Sequence, residues 1–309
     1  MTTGYYFHED CTRHDMGEGH PEAPSRLAAI QEYLKASGML AELDQRLAES
    51  VSRTALRRAH PESYLAALDA LHPEQGLNWA DPDTALNPFT LQAAARASGA
   101  AVAAVAAVLS GELRNAFCAV RPPGHHAEHA RAMGFCFYNN VAVAAHEALA
   151  QGLERVAIVD FDVHHGNGSV DIFKDEPRVM VCSSFQHPFY PGRMHDVQRA
   201  NIIHTPLEAG TRGVEFRNRV EADWLPALDT HRPQMILVSA GFDAHARDPL
   251  GELKLHEADF RWVTELIVDI AARHAAGRVV SVLEGGYELD ALARSVDAHI
   301  QVLREADRN

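Results

Sequence analysis

Short apolar runs without polar alternation recur along the chain from about residue 115 onward. Four principal runs and a fifth between them lie at residues 115–120 (NAFCAV), 155–160 (RVAIVD), 234–241 (QMILVSAG), 278–286 (RVVSVLEGG) and 178–185 (RVMVCSSF). Runs that are apolar on both faces are typical of central strands in a parallel sheet that helices cover on both sides.

Segments with helical periodicity alternate with these runs. They lie at residues 25–38, 89–112, 138–152 and 259–277, and the first begins near a candidate cap, Ser25, and ends at Gly38. Strands that alternate with helices predict an α/β fold, an open parallel sheet with helices on both faces. Because no repeat or flexible linker interrupts the pattern, we expect a single domain over residues 1–309, with residues 72–88 forming a long loop.

Composition narrows the class of protein. Hydrophobic residues make up 47% and charged residues 23% of the 309 positions, as in soluble globular proteins. The net charge of -14 argues against a nucleic-acid partner and suits a cationic substrate. A homo-oligomer is compatible with this composition.

The location of the protein is predicted from its apolar stretches and its cysteines. The longest apolar stretch, residues 100–109, is mostly alanine and too short to cross a membrane, and the first residues lack a signal-peptide pattern. The four cysteines form no C-x-x-C pair, which favours a reducing compartment. We therefore expect a cytoplasmic protein without a membrane partner.

Each principal apolar run ends in residues that can carry chemistry. The carboxyl ends of parallel strands meet at one edge of the sheet, where ligands bind. The runs are followed by RPPGHHAEH, DFDVHHGNG, DAHARDP and GGYELD. One site is therefore predicted to contain His125, His126, Asp160, Asp162, His164, Asp243 and Tyr287.

Three of these residues have the chemistry of a metal site. Asp162 and His164 are spaced by two, so in an extended segment their side chains point to the same side, and Asp243 can complete the set from another strand end. Two carboxylates and an imidazole predict a catalytic Zn²⁺ with an open position for water.

Two adjacent histidines and a tyrosine predict the remaining catalytic groups. His125 and His126 suit a general acid and a general base, and Asp160 and Asn167 are available as their partners. An aspartate raises the basicity of its histidine more than an asparagine does, so the two should titrate differently. Tyr287 follows Gly285–Gly286 and can donate a hydrogen bond to an oxyanion.

At these residues the sequence resembles the histone deacetylase branch of the arginase–deacetylase superfamily. The resemblance rests on HPEAPSRL, RPPGHHAEHARAMGFCFYNN, VDFDVHHGNGSVDIF, SAGFDAHARDPLGELKL and LEGGYELDALARSV, in the family's order. It implies zinc on Asp162, His164 and Asp243, and His126 as the base and proton donor. It also implies that Asp160 partners His125 and that Tyr287 polarises the carbonyl.

The same resemblance implies further ligand sites. A structural K⁺ would be bound by Asp160, Asp162, His164, Ser183 and Ser184, largely through backbone carbonyls. An apolar substrate tunnel would be formed by Gly134, Phe135, Tyr190 and Leu250, with Asp83 at its rim. Tyr190 stands where many relatives carry Phe, and Asn167, in place of Asp, resembles the class II and bacterial branch.

The sequence therefore predicts a zinc-dependent amidohydrolase that removes acetyl or other acyl groups from primary amines such as acetyl-lysine. An acetylpolyamine is an alternative substrate of the same chemistry. A binuclear manganese ureohydrolase needs about twice the acidic ligands and leaves the histidine pair and Tyr287 without a role. A non-catalytic acyl-lysine-binding protein is the alternative from another class.

Overall fold

The computed structural model describes residues 2–306 of the chain. This part contains ten strands and nine α-helices. Met1 and residues 307–309, the ends of the predicted domain 1–309, lie outside the described residues, and that extent stays a prediction. The strands are β1 (Thr2–Phe7), β2 (Asp44–Leu47), β3 (Asn78–Asp81), β4 (Thr84–Leu86), β5 (Leu113–Cys118), β6 (Val156–Asp160), β7 (Val179–Gln186), β8 (Ile202–Leu207), β9 (Met235–Ala240) and β10 (Val279–Leu283).

The α-helices connect these strands. They are α1 (Ser25–Ala36), α2 (Arg53–Ala59), α3 (Glu62–Leu71), α4 (Thr90–Leu109), α5 (Asn140–Ala150), α6 (Asn167–Phe173), α7 (Gly213–His231), α8 (Glu257–His274) and α9 (Leu289–Glu305). Two short 3-10 helices, Glu9–Thr12 and Met39–Glu42, complete the elements.

Eight of the strands form one parallel sheet in the order β2-β1-β5-β10-β9-β6-β7-β8. Every residue of β6, β9 and β10 is buried, as expected for apolar strands covered on both faces. Helices α2, α4, α5 and α6 pack together on one face of the sheet, and α1, α7, α8 and α9 pack on the other. The predicted open parallel sheet with helices on both faces is confirmed.

Helix α4 has the length and composition of a membrane-crossing segment. Its mean hydropathy over 18 residues is 1.4, and 61% of that window is buried within the protein. The helix packs on α5 and β5 through alanines, which is the position of a core helix.

The structure corrects one element of the prediction. Residues 72–88 are not a loop throughout, because β3 and β4 form an antiparallel hairpin that turns at Pro82 and Asp83. The hairpin escapes the sequence pattern because β3 mixes polar and apolar residues, half of them exposed, and β4 is only three residues long. Its turn brings Asp83 towards the site described below.

Candidate active site

Four neighbouring strands deliver the predicted site residues. Strands β5, β10, β9 and β6 are adjacent in the sheet, and the segments that follow their carboxyl ends contain the two histidines, Tyr287, Asp243 and the DFDVHH sequence. Because all four strands are parallel, these segments emerge at the same edge. The structure thus brings together residues that lie up to 162 positions apart in the sequence, from His125 to Tyr287.

The three predicted metal ligands converge on one point. Ligand atoms of Asp162, His164 and Asp243 lie within 4.8 Å of one another. His164 Nδ1 is 3.1 Å from Asp162 Oδ1 and 3.1 Å from Asp243 Oδ2. Backbone donors hold the carboxylates: Gly285 N–H donates to Asp162 Oδ2 (2.9 Å) and Val163 N–H to Asp243 Oδ1 (2.8 Å).

Glycines allow the backbone to pass this close to the carboxylates. A Cβ on Gly285 would overlap the Asp243 carboxylate, and one on Gly241 would overlap that of Asp162. Only residues without a side chain fit here, so the chain around the three ligands is built for close approach.

The electrostatics of this cluster favour a positive charge among its members. Burial, followed by the charge of Asp162, raises the pKa of Asp243 to about 7. Although burial opposes protonation, hydrogen bonds and charge from Asp162 and Asp243 raise the pKa of His164 to about 10. Two buried carboxylates this close need a positive charge between them, and an oxygen-rich set with one imidazole and no sulfur suits a divalent metal such as Zn²⁺.

A second group of metal-ligating residues lies outside the pocket. His245, His256 and Glu257 also bring ligand atoms within 4.8 Å. His245 Nδ1 accepts the Arg247 backbone N–H (3.1 Å), and His245 Nε2 faces Glu257 Oε2 at 3.6 Å.

The adjacent histidines have different partners. His125 Nδ1 is 2.9 Å from Asp160 Oδ2, and His126 Nδ1 is 2.7 Å from Asn167 Oδ1. Against the effect of burial, the charges of Asp160 and Asp162 raise the pKa of His125 well above its usual value. Burial and the neighbouring His125 charge lower the pKa of His126 well below it. These opposite shifts favour the charged imidazolium form of His125 and the neutral imidazole form of His126.

Glu284, which the sequence reading did not single out, fixes the backbone of the histidine loop. Its Oε2 accepts the N–H groups of Gly124 (2.7 Å) and His125 (3.1 Å), and its Oε1 accepts Ser239 Oγ–H (3.0 Å). Burial raises the pKa of Glu284 to about 7. The only sequence signal was its place in LEGGY, next to the glycines that precede Tyr287.

Tyr287 lies in the same pocket, where Asp248 and Arg26 fix its position. Its backbone N–H donates to Asp248 Oδ2 (2.7 Å), and the Arg26 guanidinium lies 4.9 Å from its ring centre. Arg26 also donates to the carbonyls of Gly286 and Glu284, both at 2.6 Å. Burial raises the pKa of Tyr287 well above its usual value, so its hydroxyl stays protonated and can donate.

Buried charges support this wall of the site. Glu22 forms ion pairs with Arg26 (3.1 Å) and with Arg121, whose Nη2 is 2.7 Å from Glu22 Oε2, and all three side chains are buried. Glu22 and Arg26 belong to the HPEAPSRL segment, but sequence reasoning gave them no role because their partners lie about 100 and 260 positions away.

A pocket of about 440 Å³ lies above these groups. It contains all five residues predicted for the substrate tunnel and its rim, Gly134, Phe135, Tyr190, Leu250 and Asp83. It is also lined by Phe189, Pro123, Pro249 and Glu252, which were not among the residues predicted for the tunnel. The Phe189 ring stacks on His164 (ring centres 5.5 Å apart) and Tyr190 stands edge-on to His126 (5.3 Å). The walls are mostly apolar and lead from the exposed Tyr190 down to buried imidazoles.

The residues predicted to bind K⁺ include two of the predicted metal ligands, Asp162 and His164. Asp160 and Ser183 are register partners on β6 and β7, and Ser184 Oγ–H donates to the Asp160 carbonyl (3.5 Å). Asp160, Asp162, His164, Ser183 and Ser184 are all buried. Potassium at this position stays a prediction.

This geometry, an open parallel sheet with an Asp–His–Asp cluster and paired histidines at one edge, is that of the arginase–deacetylase fold. The histone deacetylase domain family matches residues 20–303. The chain is 38% identical to the histone deacetylase-like amidohydrolase of Pseudomonas aeruginosa, over 92% of this chain and 81% of that protein.

Two further similarities agree with this match. A probable deacetylase of Archaeoglobus fulgidus is 35% identical over 94% of this chain and 82% of its own length. The crystal structure of the HDA15 HD domain superposes with a TM-score of 0.94 at 32% identity, covering 98% of this chain and 88% of that one. The chain belongs to the histone deacetylase domain family, whose members act as deacetylases and amidohydrolases on acylated substrates and are generally zinc-dependent.

Proposed function

We propose that this protein is a zinc-dependent amidohydrolase that cleaves acetyl or other acyl groups from primary amines such as acetyl-lysine, releasing a carboxylate and the free amine. One observation carries the proposal: an Asp–His–Asp cluster, two adjacent histidines with different partners and a tyrosine meet at the floor of one apolar pocket. An acyl amide presents a carbonyl and a leaving nitrogen that need these three kinds of group.

Asp162, His164 and Asp243 would hold the zinc. When bound, Zn²⁺ supplies the Lewis acidity that polarises the amide carbonyl and activates water for attack. The neutral His126 takes the proton of the attacking water at Nε2, because its Nδ1 is engaged by Asn167, and later gives that proton to the leaving amine. Tyr287 donates its hydroxyl proton in a hydrogen bond to the carbonyl oxygen.

His125 contributes positive charge next to this chemistry. Its pairing with Asp160 keeps it protonated, and its Nε2 lies 3.8 Å from Asp162 Oδ2. The apolar walls at Phe135 and Leu250 exclude water around the alkyl chain that carries the amide.

Acetate release from an acetyl-lysine peptide tests the proposal. We expect turnover by the purified protein, its loss on treatment with a zinc chelator, and its return on addition of one equivalent of Zn²⁺. Binding of the acetyl-lysine peptide without any acetate release would instead support the non-catalytic binding protein. Two equivalents of metal per chain with urea formation from a guanidine substrate would support a ureohydrolase.

An acetylated polyamine is a second candidate substrate, favoured by the charge at the pocket mouth. Asp83 accepts from the Thr84 hydroxyl (2.7 Å) and Gly134 N–H (3.2 Å), and Glu252 accepts from the Gln186 amide (2.6 Å). These partners are neutral, so both carboxylates keep charge available for an ammonium group. Comparison of N-acetylputrescine with N-butylacetamide, which lacks the terminal ammonium group, tests this: a higher kcat/KM for the charged compound supports it.

The site of action that we propose is the cytoplasm. All four cysteines are buried free thiols, which supports a reducing compartment. Fractionation of cells that produce the protein would test this placement.

A further inference from the structure

A chain of polar side chains runs from His126 at the pocket floor to Arg193 near the surface. His126 Nδ1 lies 2.7 Å from Asn167 Oδ1, and Asn167 Nδ2 donates to Glu128 Oε1 at 2.9 Å. Arg193 then pairs with Glu128 through two bonds, from Nε to Oε1 (2.9 Å) and from Nη2 to Oε2 (3.0 Å). Glu128 is buried, whereas 41% of the Arg193 side chain is exposed.

The orientation of the Asn167 amide determines which imidazole nitrogen of His126 carries the proton. An asparagine presents an acceptor at one end and donors at the other, and its neighbours decide which end faces which way. The Glu128 carboxylate only accepts, so it takes the NH₂ end and turns Oδ1 towards His126. Oδ1 needs a donor, which puts the histidine proton on Nδ1 and leaves a lone pair on Nε2.

Two weaker acceptors lie near the same amide nitrogen. The His126 carbonyl oxygen and Met133 Sδ are each 3.4 Å from Asn167 Nδ2. Both distances are longer than the one to Glu128, and a bond to a charged acceptor is about twice as strong as one to a neutral acceptor. Glu128 is therefore the group that fixes the amide.

We propose that Glu128 and Arg193 are positioning residues that act through Asn167 to hold His126 in the tautomer with its proton on Nδ1. The inference rests on the proposed function only in the role of His126 as proton acceptor. The carboxylate does the orienting, and the arginine neutralises and anchors that carboxylate.

Arg193 also connects this control to the substrate pocket. It lies three positions after Tyr190, on the segment between β7 and β8 that contributes Phe189 and Tyr190 to the wall. The two bonds require the planar guanidinium of Arg193 to face the Glu128 carboxylate, so they depend on the position of this segment. The protonation pattern of His126 is thereby tied to a correctly placed pocket wall.

A comparison of Glu128→Ala in two backgrounds tests the proposal. In the native background, the amide of Asn167 is free to rotate, and kcat should fall by roughly 10²-fold, the lower end of what a general acid–base group contributes, with little change in KM. In an Asn167→Asp background, both carboxylate oxygens of residue 167 are acceptors. Either one accepts the hydrogen bond from the proton on His126 Nδ1, so the tautomer is fixed without Glu128. The same Glu128→Ala change should then cost no further activity.

A merely structural role for Glu128 predicts an equal loss in both backgrounds, and that result would overturn the proposal. Arg193→Gln is the milder variant, because it changes a partly exposed side chain and spares the core. It should give a smaller loss of kcat in the native background and none with Asp at position 167.

The tautomer of His126 can be measured directly by NMR in the absence of substrate. In protein labelled with ¹⁵N-histidine, imidazole nitrogen shifts distinguish protonated from bare nitrogens, and a His126→Gln variant assigns the signals. We expect a bare Nε2 in the native protein and a protonated Nε2 in Glu128→Ala. A protonated Nε2 in the native protein would refute the proposal, whereas native protein that hydrolyses no acyl amine but has the bare Nε2 would refute only the proposed function.

Discussion

Replacement of Tyr287 by Phe removes one hydroxyl from the pocket and little else. The Phe ring keeps the contacts of the Tyr ring with the Arg26 guanidinium (4.9 Å) and with Phe135 (ring centres 6.0 Å apart). The backbone N–H bond to Asp248 is unaffected. Folding stability should therefore change little, and the effect of the substitution is confined to chemistry.

The expected loss follows from the state of that hydroxyl. Since burial raises the pKa of Tyr287 well above its usual value, the phenol stays protonated over the working pH range and donates a full hydrogen bond. Removal of one such donor to a developing oxyanion costs roughly 10²–10³-fold in kcat, or about 2.7–4 kcal/mol. The apolar lining of the pocket keeps water from replacing the lost donor.

Steady-state kinetics on an acetyl-lysine peptide, with zinc content measured on the same sample, is the assay. Tyr190→Phe is the matched control, because it removes a hydroxyl from the same pocket at a more exposed position that faces Asp83. We expect Tyr190→Phe to raise the activation free energy by only about 0.5–1.5 kcal/mol, the net value of one ordinary hydrogen bond.

Equal losses for the two tyrosine variants would refute the reasoning, because the pocket would then respond to any missing hydroxyl. Loss of zinc from Tyr287→Phe would also refute it, since that result would make Tyr287 part of the metal site.

Two further predictions concern the metal ligands and the buried charges. Asp243→Asn should lower zinc content first and activity in proportion, as measured by elemental analysis and acetate release; full activity without bound metal would exclude the ligand assignment. Glu22→Gln leaves Arg121 buried without its counter-charge. It should lower the free energy of unfolding by about 3–5 kcal/mol at pH 7. Although burial opposes ionisation, Arg121 and His14 hold the pKa of Glu22 well below its usual value, so its contribution is present above the unfolded pKa of about 4.3 and is lost as the pH falls through the folded value. The difference in Tm between native protein and variant should therefore shrink below about pH 4, and a difference independent of pH would contradict this account.

The central strands and their polar ends could be predicted from sequence because one physical pattern marks both. Strand β6 is a fully buried apolar run, and DFDVHH follows where the run meets solvent. The sheet edges lack that mark. Strand β2 is the four-residue DQRL with alternate residues exposed, and β8 contains His204 and Pro206, so neither reads as a buried run.

The supporting residues of the site were beyond the reach of sequence patterns for a different reason. Glu128 and Arg193 are 65 positions apart, and Glu284 binds the histidine loop across about 160. Each is an ordinary charged residue until the fold supplies its partner. The candidate ligands stood out because their residue types are costly to place at a strand end without a use, whereas a lone glutamate carries no such signal.

The most direct test of the central claim is an anomalous difference map from crystals of the native protein, recorded on both sides of the zinc absorption edge. We expect one zinc peak per chain, bounded by the side chains of Asp162, His164 and Asp243. A peak elsewhere, two peaks in the pocket, or catalytically active crystals with no peak at all would contradict it.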